Sequence, residues 1–137
     1  MPALRWRSFR TAEPDRDYLA LLSELPLKSY LALPRFLRFT RQVQRQLKTA
    51  PGLVGYSLLA RLWRKQFWTL SVWEDEQALM DFVNAVPHRA VMPALQPDMG
   101  ETQFLRWTIR GDAYPPSWEA ALARTISQSP GGLPSPP

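Results

Sequence analysis

Phe67–Met92 reads FWTLSVWEDEQALMDFVNAVPHRAVM, and the fold turns on how this stretch is divided. From Phe67 to Trp73 the residues alternate. Trp68, Leu70 and Val72 share one side, and Phe67, Thr69, Ser71 and Trp73 share the other, which is the period of a strand. Glu74, Asp75 and Glu76 then put negative charge where a helix macrodipole favours it. Leu79, Phe82, Val83 and Val86 follow at helical spacing. Pro87 must end or kink that helix, because it offers no N–H to the preceding turn. A second segment is expected to resume with Val91, Met92 and Leu95 inward. His88, the only histidine in the chain, stands just past the break.

Upstream, Leu53 to Trp63 alternates as well and predicts a strand. Val54, Tyr56, Leu58, Ala60 and Leu62 take one face; Leu53, Gly55, Ser57, Leu59 and Trp63 take the other. Arg64-Lys65-Gln66 is a short polar turn, so this strand and Phe67–Trp73 form an antiparallel hairpin. Before it, Phe36, Phe39, Val43 and Leu47 mark the apolar stripe of a helix over 35–49. Pro34 sits at the entry and Pro51-Gly52 at the stop. Arg38, Arg41, Arg45 and Lys48 repeat on the opposite face. Tyr18 to Leu27 is a first strand; LALLSEL would also suit a helix, but Pro26 argues for an extended end. Thr102 to Arg110 is a last strand, with Leu105, Trp107 and Ile109 opposite Phe104, Arg106 and Thr108.

The ends are appendages to this body. Leu4, Trp6 and Phe9 suggest a short edge strand or packed arm within residues 1–17. Pro115-Pro116 introduces a helix over 115–127 bearing Trp118, Leu122 and Ile126. Residues 129–137, rich in proline and glycine, are expected to be disordered. The whole of 1–128 is read as one domain, a length sufficient for one packed core.

The order strand, helix, strand, strand, helix, strand is the ferredoxin-like βαββαβ arrangement, an α+β fold with a four-stranded antiparallel sheet. Its helices cover one face, yet the strands are apolar on both. Sheet-against-sheet pairing with a second copy would bury the other face, so a homodimer is expected.

Composition narrows the chemistry. The chain of 137 residues has no cysteine, which removes disulfides, thiolate metal sites and a cysteine nucleophile, and fits a reducing, cytoplasmic setting. One histidine excludes a two-histidine iron site in one protomer. Arginines at positions 5, 7 and 10 are followed by no apolar run, so a signal peptide is not expected. A membrane partner is not expected: the most apolar stretch, Tyr18 to Leu37, is broken by Glu24, Pro26, Lys28, Pro34 and Arg35. Between Glu24 and Glu74 there is no acid but nine basic residues, against a chain total of +5. Such asymmetry marks either an anion-binding face or a solvated surface with its acidic partners elsewhere. Nucleic acid is disfavoured, because no aromatic–basic interleaving of an RNA module is present.

FWTLSVWEDEQALMDFV followed by PHRAVM resembles the antibiotic-biosynthesis-monooxygenase-like family of the dimeric α+β barrel superfamily. Its members show a strand ending in Trp-Glu, acids opening a helix, an aromatic residue later in it, and a histidine beyond. PGLVGYSLLAR fits the same pattern, and the likeness covers about Tyr18 to Arg110. It implies a dimeric barrel with an apolar pocket between sheet and helices, and cofactor-independent oxygenation of a small hydrophobic or aromatic molecule. The haem-degrading branch is disfavoured: its helix Trp falls on Phe82, its axial His falls nearer Met92, and the first strand lacks its Asn. No cofactor and no metal are therefore expected.

On that resemblance His88 is the candidate catalytic residue, as base or orienting group, with Tyr56, Ser71, Trp73, Phe82 and Met92 lining the pocket. Trp68 and Trp107 are further candidates for an aromatic cavity beside Trp73 and Tyr56. A second reading of His88 is purely structural, bonding a backbone group at a helix start. Asp75 and Glu76 read first as helix-dipole residues. Ser57 in GYSLL lacks the second glycine of a nucleophile elbow. The alternative function is a non-catalytic module that meets an anionic partner through Arg38, Arg41, Arg45 and Lys48.

Overall fold

A computed structural model describes residues 5–85 and 88–127. Five strands are present: β1 (Arg7–Ser8), β2 (Asp17–Pro26), β3 (Leu53–Arg61), β4 (Gln66–Trp73) and β5 (Gln103–Arg110). They form a single antiparallel sheet in the order β1-β3-β4-β2-β5. The central four give the ferredoxin-like order. The expected four-stranded sheet gains a fifth strand because the N-terminal arm pairs with the outer edge of β3, Arg7 opposite Tyr56 and Ser8 opposite Gly55. Pairing satisfies N–H and C=O groups that a bare edge would leave to solvent.

Helix α1 (Leu33–Leu47) starts two residues before the expected 35 and buries Phe36 and Leu47. Helix α2 (Glu76–Asn84) is capped by Asp75, whose Oδ1 accepts the Ala78 N–H at 2.8 Å. Glu74 and Glu76 face Arg16 at 3.5 Å and Arg106 at 2.8 Å. All three acids thus have structural work. Helix α3 (His88–Leu95) follows; Val86 and Pro87, where the break was expected, lie outside the described residues. Met92 and Leu95 point inward. Helix α4 (Trp118–Ser127) closes the chain, and the expected disordered tail lies outside the described residues.

One face of the sheet packs on α1, α2 and α3 through Phe36, Phe67, Trp73, Leu79 and Phe82. The other face carries Ala20, Leu22, Val54, Leu70 and Val72, each at most 1% exposed within a single chain. Its cover is α4, which sets Trp118, Ala121 and Leu122 against Leu22, Leu59, Trp68 and Leu70, together with Trp6 of the arm. The burial problem from which a twin was expected is therefore solved by the chain's own ends. Apolar area must be hidden, but the physics does not specify by what.

Two facing assignments change. Leu53 opposes Trp73 while Gly55 opposes Val72, so Val54 is an extra residue in β3, a β-bulge. Past such an insertion the alternation slips by one. Leu53 therefore joins Tyr56 on the helix side and Val54 turns to the α4 side, the reverse of strict alternation. At the far end β3 stops at Arg61; Leu62–Arg64 is a 3₁₀ turn closed by Lys65 in the left-handed region at φ 55°. Trp63, expected on a strand face, is instead 94% exposed on that turn.

Gly55 admits the arm. A Cβ there would strike the Tyr114 hydroxyl and the Trp6 indole nitrogen. That hydroxyl accepts from Trp6 Nε1 at 2.7 Å, lies 2.7 Å from Ser8 Oγ and donates to the Val54 carbonyl at 3.2 Å. It ties both ends of the chain to β3.

Candidate functional site

Between the sheet and the three helices lies a cavity of about 120 Å³. Its floor is the alternation of three strands: Leu21 and Ser23 from β2, Tyr56 and Leu58 from β3, Thr69, Ser71 and Trp73 from β4. Its roof is Phe39, Thr40, Val43 and Gln44 of α1, Phe82 and Val83 of α2, and His88 and Met92 of α3. Phe104 of β5, 44% exposed, stands at its edge. The six residues singled out in the sequence, His88, Tyr56, Ser71, Trp73, Phe82 and Met92, all contribute to this one lining. Trp68 and Trp107 do not: they point to the α4 side, because they are out of phase with Trp73 and Phe104 along their strands.

The polar groups on this apolar wall are few. Tyr56 and Ser71 are direct cross-strand partners and so share the floor. Ser71 Oγ accepts from Trp73 Nε1 at 2.9 Å, which leaves its own hydrogen to be donated elsewhere. Among the described residues the buried Tyr56 hydroxyl has no hydrogen-bond partner. An unpaired buried hydroxyl costs roughly 1–3 kcal/mol, and a bound oxygen or nitrogen atom would recover that cost.

His88 is held from two directions. Its backbone N–H donates to Gln46 Oε1 at 2.9 Å, while Gln46 Nε2 donates to the Phe82 carbonyl at 3.0 Å, so one α1 side chain clasps the α2–α3 junction. The ring's Nδ1 lies 3.3 Å from the Val83 carbonyl oxygen. A carbonyl can only accept, so Nδ1 carries the proton and Nε2 keeps its lone pair. Burial lowers the His88 pKa, and the Val83 hydrogen bond only partly opposes this. The imidazole is therefore neutral at pH 7, the form a base requires. Phe82 packs 5.2 Å from both the His88 and Trp73 ring centres. Both readings of His88, structural and chemical, thus have a physical footing in different atoms of the same residue.

Thr40, Gln44, Gln46 and Phe104 were not singled out in the sequence. Gln44 and Thr40 flank the apolar stripe of α1 at i, i+4 spacing, the one signal that sets them apart from other surface polar residues. Arg38, Arg41, Arg45 and Lys48 lie on the exposed side of α1, away from the cavity, and Arg38 packs 5.4 Å from the Phe39 ring. Ser57 is buried on the α4 side, where its hydroxyl accepts from Trp118 Nε1 at 3.1 Å. Among the described residues no cluster of three or more metal-ligating side chains occurs, and no helix is long and apolar enough to cross a membrane.

Haem fits these residues poorly. The cavity is nearer the size of engineered cavities that take one benzene ring, about 150 Å³.

A sheet of this topology with a helix-roofed apolar cavity defines a ferredoxin-like α+β pocket protein. Residues 32–94 match the family model of antibiotic biosynthesis monooxygenase. Solved structures agree on the fold. A conserved protein from Methanosarcina mazei Go1 is 14% identical with a TM-score of 0.60, over 66% of this chain and 90% of that one. SnoaB, a cofactor-independent oxygenase from Streptomyces nogalater, is 17% identical with a TM-score of 0.58, over 69% and 94%. A structure described as antibiotic biosynthesis monooxygenase is 14% identical with a TM-score of 0.60, over 65% and 95%. No curated protein matches the sequence.

Proposed function

We propose that this protein binds a small, flat aromatic molecule bearing an oxygen substituent and oxygenates it without a cofactor. The observation that carries this reading is the combination, in one apolar cavity, of an unpaired buried Tyr56 hydroxyl and a neutral His88 whose Nε2 is unprotonated. An apolar site with a few placed polar groups is the common design of small-molecule pockets. The family match and the oxygenase fold neighbour support the reaction class.

In this reading His88 Nε2 removes a proton from an activated CH₂ of the substrate, and Tyr56 and Ser71 hold the oxygen onto which the charge spreads. The carbanion reduces dioxygen; the CH₂ becomes C=O and the second oxygen atom leaves as water. The apolar lining excludes bulk water that would quench the anion. Neither step calls on a second subunit, because the cavity is lined by one chain, so the reading stands with or without the homodimer. A cytoplasmic setting is part of it, and cell fractionation tests that.

The deciding experiment is turnover of a hydroxylated single-ring substrate bearing an activated CH₂, by wild type and His88→Ala, followed by oxygen uptake. His88→Ala should abolish uptake while thermal unfolding stays cooperative. Unchanged uptake removes His88 from the chemistry.

A further inference from the structure

Four large apolar side chains stand in water at one end of the sheet. Leu31 is 92% exposed, Trp63 94%, Leu62 50% and Tyr30 49%. They are one feature. The Tyr30 hydroxyl donates to the Leu62 carbonyl at 2.6 Å and lies 3.0 Å from the Trp63 carbonyl, fixing the turn before α1 to the tip of the β3–β4 hairpin. The Lys65 ammonium sits 4.8 Å from the Tyr30 ring centre. Two nearly bare side chains as large as Trp and Leu on a fixed tip are unusual for an unpartnered surface.

The rim is basic. Lys28 and Arg64 are exposed beside the tip and Lys65 is half-buried within it. Two acids toward this end are already engaged: Asp98 faces Arg35 at 3.9 Å, and Glu24 is half-buried beside Arg61. From the same end α1 carries Arg38, Arg41 and Arg45 along its exposed side.

Self-association through this patch is disfavoured, since a two-fold contact would set the basic rim against its own copy. An anionic partner is favoured. The tip projects rather than forming a groove, and it combines Trp, Tyr and Leu with Lys and Arg, the set that settles at a headgroup boundary. We infer that the Tyr30–Leu31/Leu62–Trp63 tip docks on the surface of an anionic phospholipid bilayer, with Trp63 and Leu31 entering the interface and the basic rim facing the headgroups. This revises the expectation of no membrane partner, which rested on the lack of a spanning segment and does not bear on peripheral contact. The inference is independent of what the cavity binds.

The test is flotation of the full chain with vesicles of phosphatidylcholine containing about 30% phosphatidylserine, against pure phosphatidylcholine. The chain should float with the anionic vesicles only, and less as salt is raised from about 0.1 to 0.5 M. Trp63→Ala with Leu31→Ala should cut binding by about tenfold, and Lys28→Glu with Arg64→Glu by at least as much. Neither pair touches a buried group, so unfolding temperatures should match wild type. Equal binding to both vesicles, or none to either, overturns the inference. So does displacement from vesicles by a single-stranded oligonucleotide that binds the same tip more tightly. A concentration-dependent dimer abolished by Trp63→Ala would likewise assign the patch to a second copy.

Discussion

An acid placed at Ala121 puts the covered sheet face to the test. Ala121 is fully buried in α4, against Leu22, Leu59, Trp68 and Leu70. A carboxylate there must be buried without a partner, at several kcal/mol, or α4 must leave the sheet. Leaving exposes those four side chains with half-buried Trp118 and Leu122. At roughly 1.5–3 kcal/mol for each of these six side chains returned to water, undocking costs on the order of 9–18 kcal/mol, as much as a whole domain's stability. The substitution takes the cheaper path, so Ala121→Asp should cost about 3–5 kcal/mol. At about 3 °C per kcal/mol for a chain this size, the unfolding temperature falls by about 10–15 °C. Scanning calorimetry measures it, with exposed Ala120→Asp as the control that should shift by less than about 2 °C. If Ala121→Asp melts with wild type, α4 does not cover that face, and the face must be covered by a twin.

Tyr114→Phe removes the hydroxyl that joins Trp6, Ser8 and Val54 and should cost about 2 kcal/mol in urea unfolding, with a rise in exchange of the Arg7 and Phe9 amides. Gly55→Ala drives a methyl into the same hydroxyl and should cost at least as much. Gln46→Ala frees the α2–α3 junction from its clasp; a loss of about 1–2 kcal/mol and a weaker oxygenase activity are expected, whereas unchanged exchange of the His88 amide would contradict the clasp. The folded-state pKa of His88 is lowered, so the unfolded chain binds the proton more readily. Stability contributed by the neutral ring is present above the ordinary histidine range near 6.5 and drains away as pH falls below it. Unfolding temperatures of wild type and His88→Gln should therefore converge as the pH falls through that window, and a constant gap would exclude the linkage.

Local chemistry wrote most of the elements into the sequence. The strict alternation of Phe67–Trp73, the i, i+3, i+4 stripe from Phe36 to Leu47 and the acids ahead of Leu79 each answer to a period or a macrodipole acting over a few residues, and each element formed where it was expected. The same periods sent Tyr56, Ser71, Trp73, Phe82, His88 and Met92 toward one space, because residues on the inward side of adjacent elements have nowhere else to meet. Three matters were decided only in the folded chain. Val54 became a bulge and reversed the facing of Leu53, since pairing register is a property of two strands and not of one. Trp68 and Trp107 went to the side of the sheet away from the cavity, where α4 and the arm cover them; the sequence demanded that this face be hidden, but hydrophobicity has no direction and does not name its cover. His88 received its tautomer and depressed pKa from Val83 and Gln46, contacts made across a helix break and across 42 residues of chain that no local pattern encodes.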